Sequence, residues 1–369
     1  MTLCHIVDQM RDEVITSPDQ VTAGWLTAVL TSSGALSAGA VAAVEFDNGH
    51  GNWSTNARLN VHYAAGSQGD MPRRLFLKMV DTGASSSVES FGPSEVTYYT
   101  RDYAGLANAP LLRCYHGAYS AEQQRYHLLL DDVSDTHVVA AEKDPTLGYG
   151  LALAEGLAVM HARWWGAPRL AEAGAPIHNA AHIRRFVAIA EPGVGHILNR
   201  FSAELKPLWP DLIHALYANH PQAIIARTKD GNGFTLIHGD TGQKNILVPR
   251  DAERPLYIID RQPFNWSLTT WLGVYDLAYA MVLDWEVAAR RRLEMPVLRK
   301  YREVLVANGV TGYSWERLVD DYRLSLAMGV YIASEYCRGG VNQRWISTYL
   351  QMLSRSLTAC DDLNCSELW

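Results

Sequence analysis

Two short stretches carry oxygen-bearing side chains at spacings that suit one kind of reaction. The first is His238-Gly239-Asp240-Thr241-Gly242-Gln243-Lys244-Asn245, flanked by apolar runs; the second is Ile258-Ile259-Asp260, at the end of the next apolar run. Phosphoryl transfer asks little covalent chemistry of a protein. It needs a group that orients and deprotonates an acceptor hydroxyl, and oxygens that hold a metal ion against the phosphate charge. Asp240 has the chemistry for the first task, while Asn245 and Asp260 offer oxygens to Mg²⁺, a hard ion that prefers them. Strand ends often carry Asp and turns often carry Gly and Asn for conformational reasons alone, so the motif draws its force from the strands around it and from Asp260.

His238-Gly239-Asp240 with Asn245 resembles the catalytic loop of the aminoglycoside phosphotransferase and choline kinase superfamily, which shares the protein-kinase-like fold and has Gly where protein kinases usually have Arg. The resemblance spans nearly the whole chain and implies an ATP- or GTP-dependent small-molecule kinase. Asp240 would be its catalytic residue, with Asn245 and Asp260 as Mg²⁺ ligands. Ile259-Asp260-Arg261-Gln262 and Tyr275-Asp276-Leu277-Ala278 further resemble the ecdysteroid-kinase-like and related bacterial branch. Arg261 departs from that branch, in which an aromatic residue commonly precedes the Gln. For Asp276 the resemblance implies a buried carboxylate that braces the catalytic loop; the plain alternative is a helix N-terminal Asp favoured by the dipole. His238 is expected to fix the loop by hydrogen bonding, because Asp240 already has the acceptor-facing role. Met160-His161-Ala162 is similar to the family's Leu-His-Ala pattern and is expected to serve core packing.

Lys78 lies in the apolar run Leu75 to Val80. A buried, unpaired ammonium is costly, so the position implies a counter-charge or a bound phosphate. Taken alone it reads as an edge-strand lysine facing solvent. Similar kinases place such a lysine on the α- and β-phosphates, steadied by a glutamate from the next helix. Glu95 matches that helix better than Glu89. The loop Asp47 to Ser54 has Gly49 and Gly51, which let backbone N–H groups approach phosphate, and Asp131-Asp132-Val133 resembles the hinge whose backbone meets the purine; as a plain turn, the two acidic side chains would simply be solvated.

The elements that must position these residues follow from the hydrophobic pattern. Val21, Trp25, Leu26 and Leu30 predict a first helix. Val41 to Glu45, Ala57 to Tyr63 and Leu75 to Val80 predict three strands, the first two separated by a loop from Asp47 to Thr55. A helix is expected at Ser94, and a strand from Tyr126 to Leu130 that ends at Asp131-Asp132-Val133 is expected to close the small half. Leu153, Leu157, Met160 and Trp164 mark an amphipathic helix from about Leu147 to Trp165. Phe234 to Ile237, Ile246 to Val248 and Leu256 to Ile259 are short strands, the last two forming a hairpin across the Pro249 to Pro255 turn. The fold class is therefore α+β, and the resemblance makes it bilobal: a small antiparallel-sheet N-terminal lobe, residues 1–131, binding nucleotide, and a larger, mostly helical C-terminal lobe, residues 132–369, holding the catalytic loop and the acceptor.

Composition excludes several other classes. The chain has 369 residues, 48% of them hydrophobic, enough for a sizeable core, and a formal net charge of −7 that disfavours nucleic acid and anionic membranes as partners. No apolar run approaches the length of a membrane span and Met1 to Ser17 shows no apolar signal segment, so a cytoplasmic protein is expected. Five scattered cysteines never fall in a CxxC spacing, which argues against disulfides or zinc. No HExxH, GxSxG, Walker or G-x-G-x-x-G motif occurs. Arg290, Arg291 and Arg292 are expected on a solvated helix face. The expected partner is a small-molecule hydroxyl acceptor: an antibiotic, amino alcohol, steroid or secondary metabolite. Two alternatives are a nucleotide-binding pseudokinase, against which Lys78, Asp240, Asn245 and Asp260 speak together, and a protein kinase, against which the short run from Asp260 to Asp276 speaks. Oligomeric state is left open.

Overall fold

The computed structural model describes residues 13–50, 54–83, 92–251, 254–262, 264, 266–340 and 346–369. The N-terminal half contains α1 (Ala23–Ser32), β1 (Leu36–Ala38), β2 (Val41–His50), β3 (Ser54–Tyr63), β4 (Gln68–Gly69), β5 (Arg74–Asp81), the short helix α2 (Ser94–Thr97) running into a π-helical turn at Tyr98–Asp102, β6 (Cys114–Ser120) and β7 (Arg125–Asp131). Then come β8 (His137–Val139), α3 (Leu147–Arg163), α4 (Ala167–Glu172), α5 (Ala180–Phe201), α6 (Trp209–Arg227), β9 (Phe234–Leu236), β10 (Ile246–Pro249), β11 (Tyr257–Ile258) and β12 (Thr270–Leu272). The chain finishes with α7 (Val274–Ala278), a second π-helical turn at Tyr279–Asp284, α8 (Val287–Ala307), α9 (Trp315–Glu335) and α10 (Ile346–Asp362). It is the expected α+β class, a sheet-rich half followed by a helical one.

Five strands form one antiparallel sheet in the order β2-β3-β5-β7-β6, so β5, which carries Lys78, is central rather than an edge. Its period of two divides the sheet's faces. Leu75, Leu77 and Met79 join Trp25, Leu26 and Leu30 of α1 in one core, with Leu59 and Leu129. Phe76, Lys78 and Val80 take the other face, towards the cavity beneath the sheet. On that side Tyr98, Tyr103, Leu128 and Leu130 belong to the large core of the helical half, so α2 bridges the two halves by packing.

Two expectations about the sheet need correction. The loop expected from Asp47 to Thr55 is mostly strand: β2 runs to His50 and β3 starts at Ser54, with Asp47 opposite Arg58 and Gly49 opposite Asn56. Polar side chains hid a ladder whose backbone pairing does not need apolar residues. β6, which has no clean alternation, was not anticipated and pairs with β7 at the sheet edge.

The helical half owes its compactness to close approach. A Cβ built on Gly193 of α5 would lie 1.8 Å from the carbonyl oxygen of Ser334 on α9, which leaves no room for any side chain. Arg290 corrects a third expectation. It is 1% exposed and bonds Glu294 at 2.8 and 3.0 Å and Asp362 of α10, while Arg291, on the exposed side, reaches Asp362 at 2.7 Å. Three arginines in a row point around a helix rather than along one face, so one of them turns inward and clamps α8 to α10. Cys114, Cys337, Cys360 and Cys365 are free thiols; Cys4 lies outside the described residues. Among the described residues no helix is long and apolar enough to cross a membrane.

Gly193→Ala should force α5 and α9 apart and lower the stability to urea denaturation by about 1–3 kcal/mol, the usual range for overpacking.

Candidate active site

The segment from His238 to Asn245 joins two strands that do not pair with each other. β9 pairs with β12, Leu236 opposite Thr270, and β10 pairs with β11, Ile246 opposite Ile258, as the hairpin expectation required. The loop must therefore cross from one small sheet to another. A buried carboxylate holds it during that crossing. Asp276, fully buried at the start of α7, accepts the backbone N–H of His238 at 2.7 Å and of Gly239 at 2.9 Å, and the Nε2–H of His161 at 3.1 Å. His161 Nδ1 lies 2.8 Å from the Tyr301 hydroxyl, and Thr241 Oγ1 donates to the Asp276 carbonyl at 2.6 Å. Burial works to raise the Asp276 carboxyl, but the hydrogen bond and charge of His161 and the Gly239 N–H outweigh it and hold the group below the usual carboxylate range. Gly239 has φ +82°, a left-handed conformation that suits glycine.

The loop then presents Asp240 to the cavity. Asn245 spends an amide N–H on the Asp240 carbonyl at 3.0 Å, which turns its oxygen into the group available to a cation. The π-helical turn after α7 widens the helix and brings two further residues to the loop: Tyr279 bonds the Asp240 carboxyl, and Asp284 accepts the Gln243 N–H at 2.7 Å. Burial pushes Asp240 up to about 6, against the Tyr279 bond, which works to lower it. His238 is pulled down to about 4 by burial and is neutral at pH 7, its Nδ1 accepting the Asp240 N–H at 3.3 Å.

Across the cavity, Lys78 donates to both oxygens of Glu95 at 2.8 Å and to Asp260 Oδ1 at 2.5 Å. Glu95 is 2% exposed and also accepts from the Tyr126 hydroxyl at 2.6 Å. Burial alone would lower the ammonium, but the charges of Glu95 and Asp260 win and hold it above the ordinary lysine range. Asp260 follows β11, with the Ile259 N–H on the Asn245 carbonyl at 2.9 Å and the Gln262 N–H on the His238 carbonyl at 3.1 Å, so it is pinned between the two ends of the loop. Its φ of +58° is unusual for a residue with a side chain and costs on the order of 1 kcal/mol. Arg261, 6% exposed, also borders the cavity: its guanidinium donates to Ser94 Oγ at 2.5 Å and to the Ile237 carbonyl at 3.3 Å and lies over the Tyr98 ring.

Lys78, Glu95, Asp240, Asn245 and Asp260 thus line one cavity of about 730 Å³, together with Ser54, Asn56, Phe76 and Val80 of the sheet. Asp131, Asp132 and Val133 do not line it. The Asp131 carboxylate accepts from Tyr115 at 2.6 Å, Asp132 is an almost buried partner of Arg74 at 2.8 Å rather than a solvated turn residue, and their N–H groups face the carbonyls of Arg113 and Arg74. Gly49 lies in the β2–β3 ladder and outside the cavity lining, and a Cβ there would meet nothing within 4 Å; Gly51 lies outside the described residues. Sequence reasoning missed Tyr279, Asp284 and Tyr126. The first two follow Asp276 by three and eight residues, a spacing that a regular helix would not have brought to the loop together.

No family model and no curated protein matches the sequence. Solved structures do match. A choline kinase from Cryptosporidium parvum Iowa II is 9% identical over 100% of this chain and 98% of its own, with a TM-score of 0.57. A Plasmodium vivax ethanolamine kinase is 10% identical over 85% of this chain and 82% of its own, with a TM-score of 0.52. A glucosamine kinase in complex with glucosamine, ADP and inorganic phosphate is 15% identical over 92% of this chain and 83% of its own, with a TM-score of 0.53.

Asp276→Asn keeps the shape of the side chain and removes its charge. It should lower stability by about 1.5–3 kcal/mol in urea denaturation, the worth of hydrogen bonds to a charged group. At these identities the structural likeness speaks for the fold, and the chain has the bilobal protein-kinase-like fold that the choline kinase and aminoglycoside phosphotransferase superfamily shares.

Proposed function

We propose that this chain is a phosphotransferase that moves the γ-phosphoryl group of ATP, or of GTP, onto a hydroxyl of a small molecule. The observation that carries the reading is the convergence of Lys78, Asp240, Asn245 and Asp260 on one cavity from three separate segments of the chain: β5, the loop between β9 and β10, and the end of β11. The nucleotide would lie under the sheet, and the acceptor would enter from the helical side. The lobes would divide near Asp131, where β7 ends.

Lys78 would hold the α- and β-phosphates, with Glu95 fixing the ammonium and Tyr126 fixing Glu95. To do so it must exchange its bond to Asp260, which is half exposed, for phosphate oxygens. Asn245 and Asp260 are an oxygen donor set of the kind Mg²⁺ uses when phosphates and water supply its other ligands. Bound there, the ion would neutralise charge on the transferring phosphate. Asp240 would orient the acceptor hydroxyl and take its proton as the oxygen forms a bond to the γ-phosphorus. The bond from that phosphorus to the bridging oxygen breaks, and the electron pair leaves with the nucleoside diphosphate.

Asp240→Ala and Asp260→Ala should each abolish turnover and leave the fold intact. Release of nucleoside diphosphate together with far-ultraviolet circular dichroism checks this, and substantial turnover by either folded variant would contradict the assignment.

The pH dependence follows from the raised Asp240 carboxyl. Below about 6 the group carries its proton and cannot accept another. The kcat/KM for ATP, which reports the free enzyme, should therefore rise with pH up to a midpoint near pH 6 and level off above it. A midpoint near the ordinary carboxylate value would show that burial does not tune the base.

A further inference from the structure

Beyond Asp240 the cavity continues into the helical half, and there its wall is made of rings. Phe186 of α5, Trp266, Tyr331 of α9, Tyr336 just after α9 and Tyr349 of α10 all line it. The Tyr336 and Tyr349 rings stack in parallel, with centroids 4.3 Å apart and planes 6° apart. Trp266 stacks on Phe264 at 5.6 Å and on Phe186 at 6.1 Å, forming a second tier. Tyr336 is close enough to Asp240 for that carboxylate, after burial, to raise its phenol. A hydroxyl set on Asp240 therefore belongs to a molecule whose body lies among these rings.

Charge narrows the class. Among the described residues the lining holds four carboxylates, Glu95, Asp240, Asp260 and Glu335, and three basic groups, Lys78, Arg261 and Arg338. Glu95 and Asp260 pair with Lys78, and Glu335 pairs with Arg338. The Arg338 guanidinium also lies over the Trp266 ring, 5.9 Å from its centroid. On this wall Glu335 and the Trp266 face, which would otherwise draw an ammonium, are engaged by Arg338, and the carboxylate that remains is Asp240, where the hydroxyl sits. An acceptor rich in amines would meet a guanidinium beside Glu335. An uncharged ring system needs neither a carboxylate nor the covered face, and it gains from burying its apolar surface against the rings.

We infer that the acceptor is an uncharged, ring-bearing alcohol, seated against the Phe186–Trp266 tier and the Tyr336–Tyr349 stack with its hydroxyl on Asp240. This rests on the phosphotransferase reading, and it names the acceptor that reading leaves open. Arg338 is then a specificity-determining residue, because it cancels the charge of Glu335 and covers Trp266.

The test is calorimetric. The full chain, loaded with Mg²⁺ and a non-hydrolysable ATP analogue, is titrated with alcohols of matched size in three arms: uncharged ring-bearing alcohols such as 4-biphenylmethanol and hydroxysteroids, amino alcohols including choline, and aminoglycosides such as kanamycin. Binding should be tightest in the first arm. Tyr336→Ala and Tyr349→Ala, at partly exposed positions that tolerate truncation, should each weaken it about tenfold, the worth of a lost ring contact with its buried area. Arg338→Ala should shift preference towards the amino alcohols by about tenfold, as expected for an uncovered aromatic face beside a carboxylate. Tightest binding in either ammonium-bearing arm, or no binding in the uncharged arm by a chain that does hold nucleotide, overturns the acceptor class and leaves the phosphotransferase reading standing. A chain that holds no nucleotide overturns both.

Discussion

The Asp276 carboxylate is the constraint on which the site depends. A loop that leaves one small sheet and enters another has no ladder to hold it, and its backbone N–H groups must find partners away from water. Asp276 supplies them to His238 and Gly239 at once, and its own charge is matched by His161 and, behind it, Tyr301. Because the same residue opens α7, the loop is fastened to a helix rather than to another loop. The π-helical turn that follows then sets Tyr279 on Asp240 and Asp284 on Gln243. The loop and its support are in this sense one unit, and Asp240 is held in place by all of it.

The other side of the cavity is organised by a chain of charge from Glu95 through Lys78 to Asp260. Its register against the loop is set by Arg261. Arg261 holds α2 by hydrogen bonds, to Ser94 at its start and to the Ile237 carbonyl at the start of the loop, with Tyr98 under its guanidinium. The position of Glu95, four residues before Tyr99 and one after Ser94, is thereby linked to the loop that carries Asp240. Asp260, just before it in the chain, has a left-handed backbone, and its carboxylate lines the cavity.

Much of this was legible in the sequence wherever the signal is local. Asp240, Asn245 and Asp260 stand within a few residues of short apolar runs, and the hairpin between Ile246 and Ile258 needed only a turn rich in Pro and charge. Lys78 was visible as the polar break in an apolar run. What escaped depends on distance in the chain or on helix geometry. β12 pairs with β9 from more than thirty residues away, and the aromatic wall is assembled from α5, the segment after β11, the end of α9 and α10. The facing ends of β2 and β3 read as loop because their side chains are polar, although their backbones pair. The side chains of Asp131 and Asp132 are not solvated as a plain turn would have them, because Tyr115 and Arg74, which no local pattern connects to them, lie within reach. Arg290 went inward because an adjacent pair on a helix is about 100° apart, so three consecutive arginines cannot share one solvated face.

The measurement that tests the central claim most directly is the fate of the γ-phosphate itself. The purified chain would be incubated with Mg²⁺, ATP carrying ¹⁸O on the γ-phosphate and a broad pool of small-molecule alcohols, and the products weighed by mass spectrometry. A phosphoester bearing the heavy oxygens, formed on a hydroxyl, is the predicted result. Label found only in ATP or in inorganic phosphate, from a chain that binds the nucleotide, would contradict transfer to a hydroxyl of any acceptor in the pool and with it the role given to Asp240.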